Sequence, residues 1–413
     1  MKWLSDEKIN EFINEHNYNI KENYNKKVVA RWIDQKCTPD VLCIIADCII
    51  EFCNSSPEKE YFTSIDIWHN QYTLTNVEEI FKKPNPNEKS AKNEYDKFFQ
   101  QPMEMFAYAG ILEKKKVGIK NFYKIINKDV LEYISIREMN ALKFIYKYNE
   151  KVLSDSGIYY YFEKFFNNPN KDNYDEMKEK FALYMIENTK SNKSLECNRI
   201  FTKVINPIAF MKNNYGTEDG KVSKAKITRD MLMYNRNNFR DIYTEKPKEM
   251  TRTEYNKIMP NKLNVSLIKY QSVKAKKMLR VYNDTFRDGI PELIDNFAVG
   301  KATQMHHIFP ENEFYEISGY IENIIALTPA QHYGEAHPNN NTKIIDKAFQ
   351  QMCLIAKADI IEKNIKEKKE VIYSFENFIY VLTIGLDDKR FKEIDNMDFI
   401  EVIRLINMDY LST

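Results

Sequence analysis

The distribution of histidine restricts this chain more than any other feature of its sequence. The 413 residues contain six histidines, and four of them fall within one stretch of 32 residues. An even distribution would place less than one histidine there. Neutral imidazole is the commonest metal ligand and also a general base near neutral pH, so this cluster indicates a functional site. Its members are His306, His307, His332 and His337.

The residues around this cluster predict a strand, a loop, a second strand and a short helix. A short apolar segment ends at His306 and His307, and a loop with turn residues follows. Asn323 opens a second apolar strand, and the proline after Thr328 is typical of a helix start. His332 falls on this helix. The predicted order therefore has histidines at both ends of the unit.

This order and spacing resemble the HNH, or ββα-metal, nuclease superfamily. That motif has Asp-His or His-His at the end of its first strand and Asn-(Leu/Ile)-x-x-Leu on its second. The chain has His306-His307, then Asn323 followed by Ile-Ile-Ala-Leu, and a further histidine, His332, nine residues after Asn323, as in the motif. The match covers under a tenth of the chain. It is specific because four positions agree in residue type and spacing.

The resemblance implies a fold and a role for each residue. The expected fold is mainly α with small β elements, an α+β protein with a ββα-metal nuclease domain and a helical, winged-helix-like DNA-binding region. His307 is implied as the general base, while His306 and His332 hold the metal. Asn323 is implied to form hydrogen bonds across the loop and keep His307 oriented. The expected products carry 5′-phosphate and 3′-hydroxyl ends.

The implied cofactor is one divalent metal per active site, with Mg²⁺ expected first. His306 stands where aspartate is commoner in this motif, and an imidazole is a less hard ligand than a carboxylate. Mn²⁺ or Ni²⁺ is therefore the alternative. His337 follows His332 by five residues, whereas the related colicin-type nucleases have a ligand four residues later. Its role stays open between a metal ligand, a phosphate contact and a cap for the next helix.

The charge distribution predicts a local surface for a polyanion. Residues 201–300 contain 19 Lys and Arg against 11 Asp and Glu, although the whole chain has a net charge of +1. Arginine forks match phosphate oxygens or guanine edges, and asparagine can pair with adenine. A solvated charged face is the alternative reading. The predicted DNA contacts of this region are Arg229, Arg236, Asn237, Arg240, Arg252, Lys276, Lys277 and Arg280.

The N-terminal region has the element order of a winged helix. Helical patterns are followed by two short strands, 111–116 and 120–127, which flank Gly118. The hairpin has Lys115, Lys116 and Lys120, which are predicted to contact DNA phosphates as a wing would. The alternative is a helical subdomain with an exposed basic hairpin, whose lysines protect a sheet edge.

The sequence predicts four regions and a cytoplasmic protein. Residues 1–135 are the helical, winged-helix-like recognition region, and 136–200 are a helical scaffold or linker. Residues 201–350 hold the basic segment and the nuclease domain, and 351–413 form a C-terminal helical scaffold. The N-terminal sequence lacks the pattern of a signal peptide, and no apolar run is as long as a membrane span. The six cysteines are too sparse for a disulfide framework.

The organisation resembles HNH-type type II restriction endonucleases, including type IIS enzymes. The predicted function is sequence-specific cleavage of double-stranded DNA. Because one HNH site cuts one strand, a homodimer on DNA is expected. A cognate DNA methyltransferase is expected to be encoded nearby, without being a physical partner, and no membrane partner is expected. The alternatives are a nonspecific or nicking HNH nuclease, an RNA-cleaving toxin, and a DNA-binding regulator with an inactive HNH fold.

Overall fold

The protein is mainly helical, with small antiparallel sheets, so the predicted α+β class is confirmed at that level. Two compact units, Leu4–Pro260 and Asn261–Thr413, make up the chain. No helix in the described ranges is long and apolar enough to cross a membrane. The computed structural model describes residues 4–25, 30–81, 83, 87, 92–190, 193–234, 265–336, 346–368 and 370–411.

The N-terminal unit contains helices with two β-hairpins between them. Its first helices are α1 (Asp6–Asn14), α2 (Ile20–Asn25), α3 (Pro39–Ser55), α4 (Ser64–Trp68), α5 (Gln71–Phe81) and α6 (Lys92–Tyr108). The first hairpin and the helices after it are β1 (Leu112–Val117), β2 (Lys120–Ile125), α7 (Lys128–Ile136), α8 (Glu138–Asp155), α9 (Tyr159–Asn167), α10 (Lys171–Asn188) and α11 (Ser194–Met211). The second hairpin and the next helix are β3 (Tyr215–Glu218), β4 (Lys221–Lys226) and α12 (Arg229–Leu232).

Helix α3 is the centre of this unit. It begins with Pro39 directly after Thr38, as the helix-start pattern predicts. Its sequence is apolar on nearly every side, and almost the whole helix is buried against α5, α6, α7 and α8. Cys43 and Cys48 are buried free thiols within it. They therefore belong to the packed core, whereas Cys53 near the end of the same helix is a half-buried free thiol.

The hairpin of β1 and β2 lies where the sequence predicts it. Val117 pairs with Lys120 across a two-residue turn, in which Gly118 has a φ of +59°. Phe62, between α3 and α4, forms two backbone hydrogen bonds of 2.8 and 2.9 Å with Tyr123 on β2. This single-residue bridge joins the connection between α3 and α4 to the hairpin. Helix α6 packs against β1.

Two local features are more regular than the sequence alone indicates. Residues 216–220, whose composition predicts a turn-rich loop, contain the end of β3 and the tight turn of the β3–β4 hairpin, where Asp219 and Gly220 have φ of +49° and +76°. Such paired positive values fit the strand twist of a two-residue hairpin. The Thr-Asn-Val-Glu pattern that begins at Thr75 predicts a helix start there, but α5 already begins at Gln71, and Thr73 and Val77 are buried on this one continuous helix. Helix α11 packs against β3, α8 and α10, within the N-terminal unit.

The C-terminal unit surrounds one small hairpin with helices. The elements of this unit are α13 (Val265–Phe286), β5 (Gln304–His307), the 3₁₀ turns Tyr315–Ile317 and Ile321–Asn323, β6 (Ile324–Leu327), the π-helical turn Gln331–Ala336, α14 (Lys347–Glu367), α15 (Phe375–Gly385), the 3₁₀ turn Lys389–Glu393 and α16 (Phe399–Leu411). Helix α13 packs against both strands of the hairpin and against the 3₁₀ turns between them.

The buried ion pair of Glu292 and Lys357 lies beside β6. The Glu292 backbone N–H donates to the Ala326 carbonyl, and the Ala326 N–H donates to the Glu292 carboxylate, both at 2.8 Å. Lys357 and the Tyr373 hydroxyl donate to the same carboxylate at 3.1 and 2.8 Å. All four residues are buried. Glu292 therefore satisfies both backbone groups of Ala326 on β6.

Candidate active site

Strands β5 and β6 bring three of the clustered histidines into one region. The strands are antiparallel, with His306 opposite Ile325 and His307 opposite Ile324. Successive side chains of a strand point to opposite faces. The contacts agree, since His306 lies against His332 and His307 lies on the side of α13. A ligand that touches both neighbouring histidines must therefore lie across the end of β5.

His332 is held by a tightly connected turn after β6. Thr328 and Gln331 form a reciprocal cap, in which each backbone N–H donates to the other side chain at 2.9 and 3.2 Å. The Gln331 amide also donates to the Leu293 carbonyl, and the Thr328 hydroxyl to the Phe297 carbonyl, each at 2.9 Å. His332 follows in the first turn. Its backbone position is thus fixed by buried hydrogen bonds.

The His306 and His332 imidazoles suit a shared cation. Their ring centroids are 5.1 Å apart and the rings are nearly perpendicular. Two imidazoles that bind one metal through nitrogens at about 2.1 Å have centroids roughly 5 Å apart, so the pair fits. The part of the chain that the structure describes has no group of three His, Cys, Asp or Glu side chains that could hold a metal. Water and a phosphate oxygen would then supply the remaining ligands.

The contacts of His307 assign its tautomer. Its Nε2 lies 2.9 Å from the Ser318 carbonyl oxygen. A carbonyl only accepts, so Nε2 carries the hydrogen and Nδ1 keeps its lone pair. Burial lowers the pKa of His307 to about 4, with the Lys276 charge acting in the same direction. The Ser318 hydrogen bond and the Glu311 charge oppose this shift only in part. His307 is therefore neutral near pH 7, in the form that accepts a proton.

Asn323 closes the loop between the two strands. Its side chain is fully buried and accepts from the Phe309 N–H at 2.9 Å. It donates to the carbonyls of Phe309 and Ile317 at 3.1 and 3.3 Å. Ile317 precedes Ser318, whose carbonyl holds His307. Asn323 thus contacts the backbone on both sides of the loop.

The same loop also approaches α13 closely. A Cβ atom on Gly319 would lie 2.9 Å from the Cβ of Gln271, so glycine permits the approach. The next residue of α13, Ser272, is buried and lies 3.4 Å from His307 Nε2. Its hydroxyl donates to Glu311 at 3.1 Å. His307 is therefore enclosed by α13 on one side and by the loop on the other.

Two predicted DNA-contact residues, Lys276 and Arg280, lie on the same side of α13 as Ser272, which contacts His307. Ser272, Lys276 and Arg280 are four residues apart, so they share one side of the helix. Arg280 donates to the Thr303 carbonyl, just before β5. The row formed by Ser272, Lys276 and Arg280 therefore runs along β5 from His307 towards the start of the strand. Lys277, which follows Lys276 on α13, is half-buried.

The remaining predicted contacts that the structure describes lie in the N-terminal unit. Arg229 pairs with Glu138 at 2.7 Å, a partner that the sequence did not suggest. Lys115 lies over the Tyr61 ring, while Lys116 and Lys120 are exposed near the hairpin turn. Outside the described residues are Arg236, Asn237, Arg240, Arg252 and His337.

Three residues around His307 were not predicted from the sequence: Ser272, Glu311 and Ser318. Ser272 comes from a helix 35 residues before His307, so no local spacing links the two. Ser318 acts through its backbone carbonyl, which any residue could supply. Of the three, only Glu311 could have been suggested by the sequence, because it follows His307 by four residues.

No protein-family model, curated protein or solved structure matches this chain. A function must therefore be inferred from the side chains themselves and from the chemistry that their arrangement permits.

Proposed function

We propose that the protein is a metal-dependent endonuclease of the HNH, or ββα-metal, type that hydrolyses phosphodiester bonds in double-stranded DNA. The convergence of His306 and His332 beside a neutral His307 carries the proposal. Hydrolysis of a phosphodiester needs an activated water and a means to neutralise charge on the phosphate. The three imidazoles supply both requirements within one hairpin and its following turn.

His307 performs the proton transfer in this mechanism. Its Nδ1 takes one proton from a water molecule while the water oxygen forms a bond to phosphorus. The bond between phosphorus and O3′ breaks, and O3′ takes a proton from solvent water. The products carry a 5′-phosphate and a 3′-hydroxyl. The Ser318 carbonyl holds the imidazole in the required tautomer, and Asn323 holds the loop that presents this carbonyl.

His306 and His332 are the residues that would hold the metal. A bound divalent cation would neutralise charge on the scissile phosphate and on the leaving oxygen. Two imidazole ligands are softer than carboxylates, which favours Mn²⁺ or Ni²⁺ relative to Mg²⁺. The fixed turn around Thr328 and Gln331 keeps His332 oriented before the cation binds.

The basic residues support a DNA substrate. Lys276 and Arg280 lie along the strand that carries the base, where they suit backbone phosphates. In the N-terminal unit, α6 followed by a hairpin with exposed lysines has the order of a winged helix, which supports sequence recognition. We extend the proposal to a type II restriction endonuclease that acts as a homodimer on DNA beside a cognate methyltransferase activity.

The test is digestion of plasmid DNA with the purified protein in Mg²⁺, Mn²⁺ or Ni²⁺. We expect discrete fragments with the wild-type protein and no cleavage with His307→Ala. His69→Ala is the matched control, because His69 is an exposed imidazole in the other unit, and it should cut normally.

Other outcomes separate the alternatives. A smear or only nicked circles would favour a nonspecific or nicking nuclease, and preferential loss of RNA would favour an RNA-cleaving enzyme. If the wild-type protein and His307→Ala were equally inactive on both nucleic acids in all three metals, the nuclease proposal would be wrong. Binding of DNA without cleavage would then favour a regulator.

A further inference from the structure

Glu311 lies beside the general base without a role in the mechanism so far. Its Oε2 is 3.7 Å from Nδ1 of His307, the nitrogen that keeps the lone pair. The same oxygen accepts the Ser272 hydroxyl at 3.1 Å. The carboxylate is 39 % exposed, so it can also meet solvent and substrate. It is thus anchored on one side and open on the other.

A carboxylate at this position opposes DNA binding. The DNA backbone is a polyanion, and its binding surfaces use lysine and arginine to neutralise phosphates. Lys276, on the neighbouring helix, meets that need, whereas Glu311 repels the phosphate. A group that weakens substrate binding can still accelerate the reaction if its interaction is made mainly in the reacting geometry. His307 and Glu311 together supply such an interaction.

Nδ1 of His307 and the Glu311 carboxylate are both hydrogen-bond acceptors. Two acceptors so close together are best joined by a molecule with two O–H donors, and water is such a molecule. One hydrogen points to Nδ1 and the other to Oε2. The oxygen lone pairs then face away from both groups, where they are free to attack a phosphorus atom.

We propose that Glu311 is a positioning residue for the attacking water. This inference rests on the proposed nuclease function. In the reaction, the proton that faces His307 moves to Nδ1 as the oxygen bonds to phosphorus and the bond to O3′ breaks. The hydrogen that faces Glu311 stays on the oxygen and is lost to solvent from the product phosphate. Glu311 remains a carboxylate throughout.

Ser272 holds Glu311 in place for this task. Its hydroxyl is buried on α13 and donates to Oε2, while its oxygen faces Nε2 of His307 at 3.4 Å. Ser272 therefore touches both partners of the water. Removal of this hydroxyl should loosen the carboxylate without altering its charge.

The experiment compares Glu311→Gln with Glu313→Gln in steady-state DNA cleavage. Glu313 is an exposed residue of the same loop, so its variant removes the same charge next to the site. We expect kcat of Glu311→Gln to fall by about 10-fold to 100-fold, as for a misplaced reacting group. KM for DNA should stay the same or decrease, because a repulsive charge is lost. Glu313→Gln should keep the wild-type kcat, and Ser272→Ala should lie between the two.

Two further measurements exclude a merely structural role. The Tm of Glu311→Gln and its affinity for Mn²⁺, followed by electron paramagnetic resonance, should match those of the wild-type protein. A wild-type kcat in Glu311→Gln would overturn the inference, and so would a fall in kcat accompanied by a lower Tm or weaker Mn²⁺ binding. A wild-type protein that cuts no nucleic acid would overturn the nuclease function, and the inference with it.

Discussion

His306 and His307 are neighbours in sequence but meet opposite chemical demands. His306 faces a second imidazole across 5.1 Å, an arrangement that becomes favourable when a cation lies between the rings. His307 is buried against a helix and a loop, which keeps its imidazole neutral. The alternation of a β-strand separates the two environments. In the proposed nuclease, the end of one strand would therefore combine metal binding with proton transfer.

The neutral state of His307 predicts an unusual titration. In the metal-free protein, NMR signals of the His307 ring should titrate near pH 4 rather than near the ordinary value of 6.5. Since the folded pKa is depressed, the unfolded chain takes up this proton first as the pH falls. His307 therefore reduces the free energy of unfolding between about pH 6.5 and pH 4, with no effect above that range.

A ring titration close to pH 6.5 would contradict this prediction. Urea unfolding at several pH values gives a second measurement, because the acid-induced loss of stability should be smaller in His307→Asn than in the wild-type protein.

At the scale of residues, spacing along the chain revealed only part of the site. Asn323 and His332 could be found because the strand and the turn between them are short and regular. The structure describes both beside the β5 histidines, and Asn323 joins Phe309 to Ile317 through its amide. Ser272 could not be found this way, since it reaches His307 from another helix. Tertiary contacts of this kind leave no period in the sequence.

The hairpin of β5 and β6 is too short to be stable by itself. Each strand has four residues, and an isolated two-stranded hairpin is marginal in water. Burial between α13 and the Glu292–Lys357–Tyr373 contacts supplies the missing stability. The sequence pattern gave the strands but not this support, because a buried Lys–Glu pair looks like two surface charges in a sequence.

Removal of Lys357 tests this support. Lys357→Ala leaves the Glu292 carboxylate buried without its cation, which should lower the free energy of unfolding by about 3–5 kcal/mol. Loss of the carboxylate as well, in Glu292→Gln/Lys357→Met, should restore much of that stability, since no unpaired charge remains. Urea unfolding of the three proteins measures the difference. Equal stability of Lys357→Ala and the wild-type protein would show that the pair does not stabilise β6.

The N-terminal hairpin illustrates how charge and burial differ between adjacent lysines. Lys114 is nearly buried and pairs with Glu104 at 2.6 Å, so it is committed to the fold. Lys116 and Lys120 are exposed around a turn whose Ile119 is 95 % exposed. Sequence analysis identified the basic hairpin but could not separate these roles. The register decides them, because it sets which side chains face α6.

The two exposed lysines give a prediction about DNA affinity. If the hairpin contacts phosphates, Lys116→Ala/Lys120→Ala should weaken DNA binding and reduce the salt dependence of log K by about 2, or one per lysine. Lys124→Ala is the control, since Lys124 pairs with Glu60 at 2.5 Å on the same hairpin. Fluorescence anisotropy at several salt concentrations measures both. An unchanged salt dependence in the double variant would exclude phosphate contacts at this hairpin.

At the scale of the whole molecule, the proposed function would place DNA cleavage and DNA recognition in different units. The three clustered histidines that the structure describes belong to the C-terminal unit, while the winged-helix-like order and Arg229 belong to the N-terminal unit. In the proposed nuclease, each copy of the chain would contribute the site described at β5 and β6, and one HNH site is expected to break one strand. Cleavage of a duplex therefore requires two copies to act together or one copy to act twice.

These two routes differ when active and inactive chains are mixed. With equal amounts of wild-type protein and His307→Ala, mixed dimers contain one functional site and should leave nicked circles. Protein that acts alone would give the wild-type products at half the rate, because the inactive copies only dilute it. Gel analysis of supercoiled plasmid over time measures nicked and linear forms. We expect nicked circles to accumulate with His307→Ala but not in a mixture with His69→Ala, whose site is intact; the same products in both mixtures would contradict the dimer.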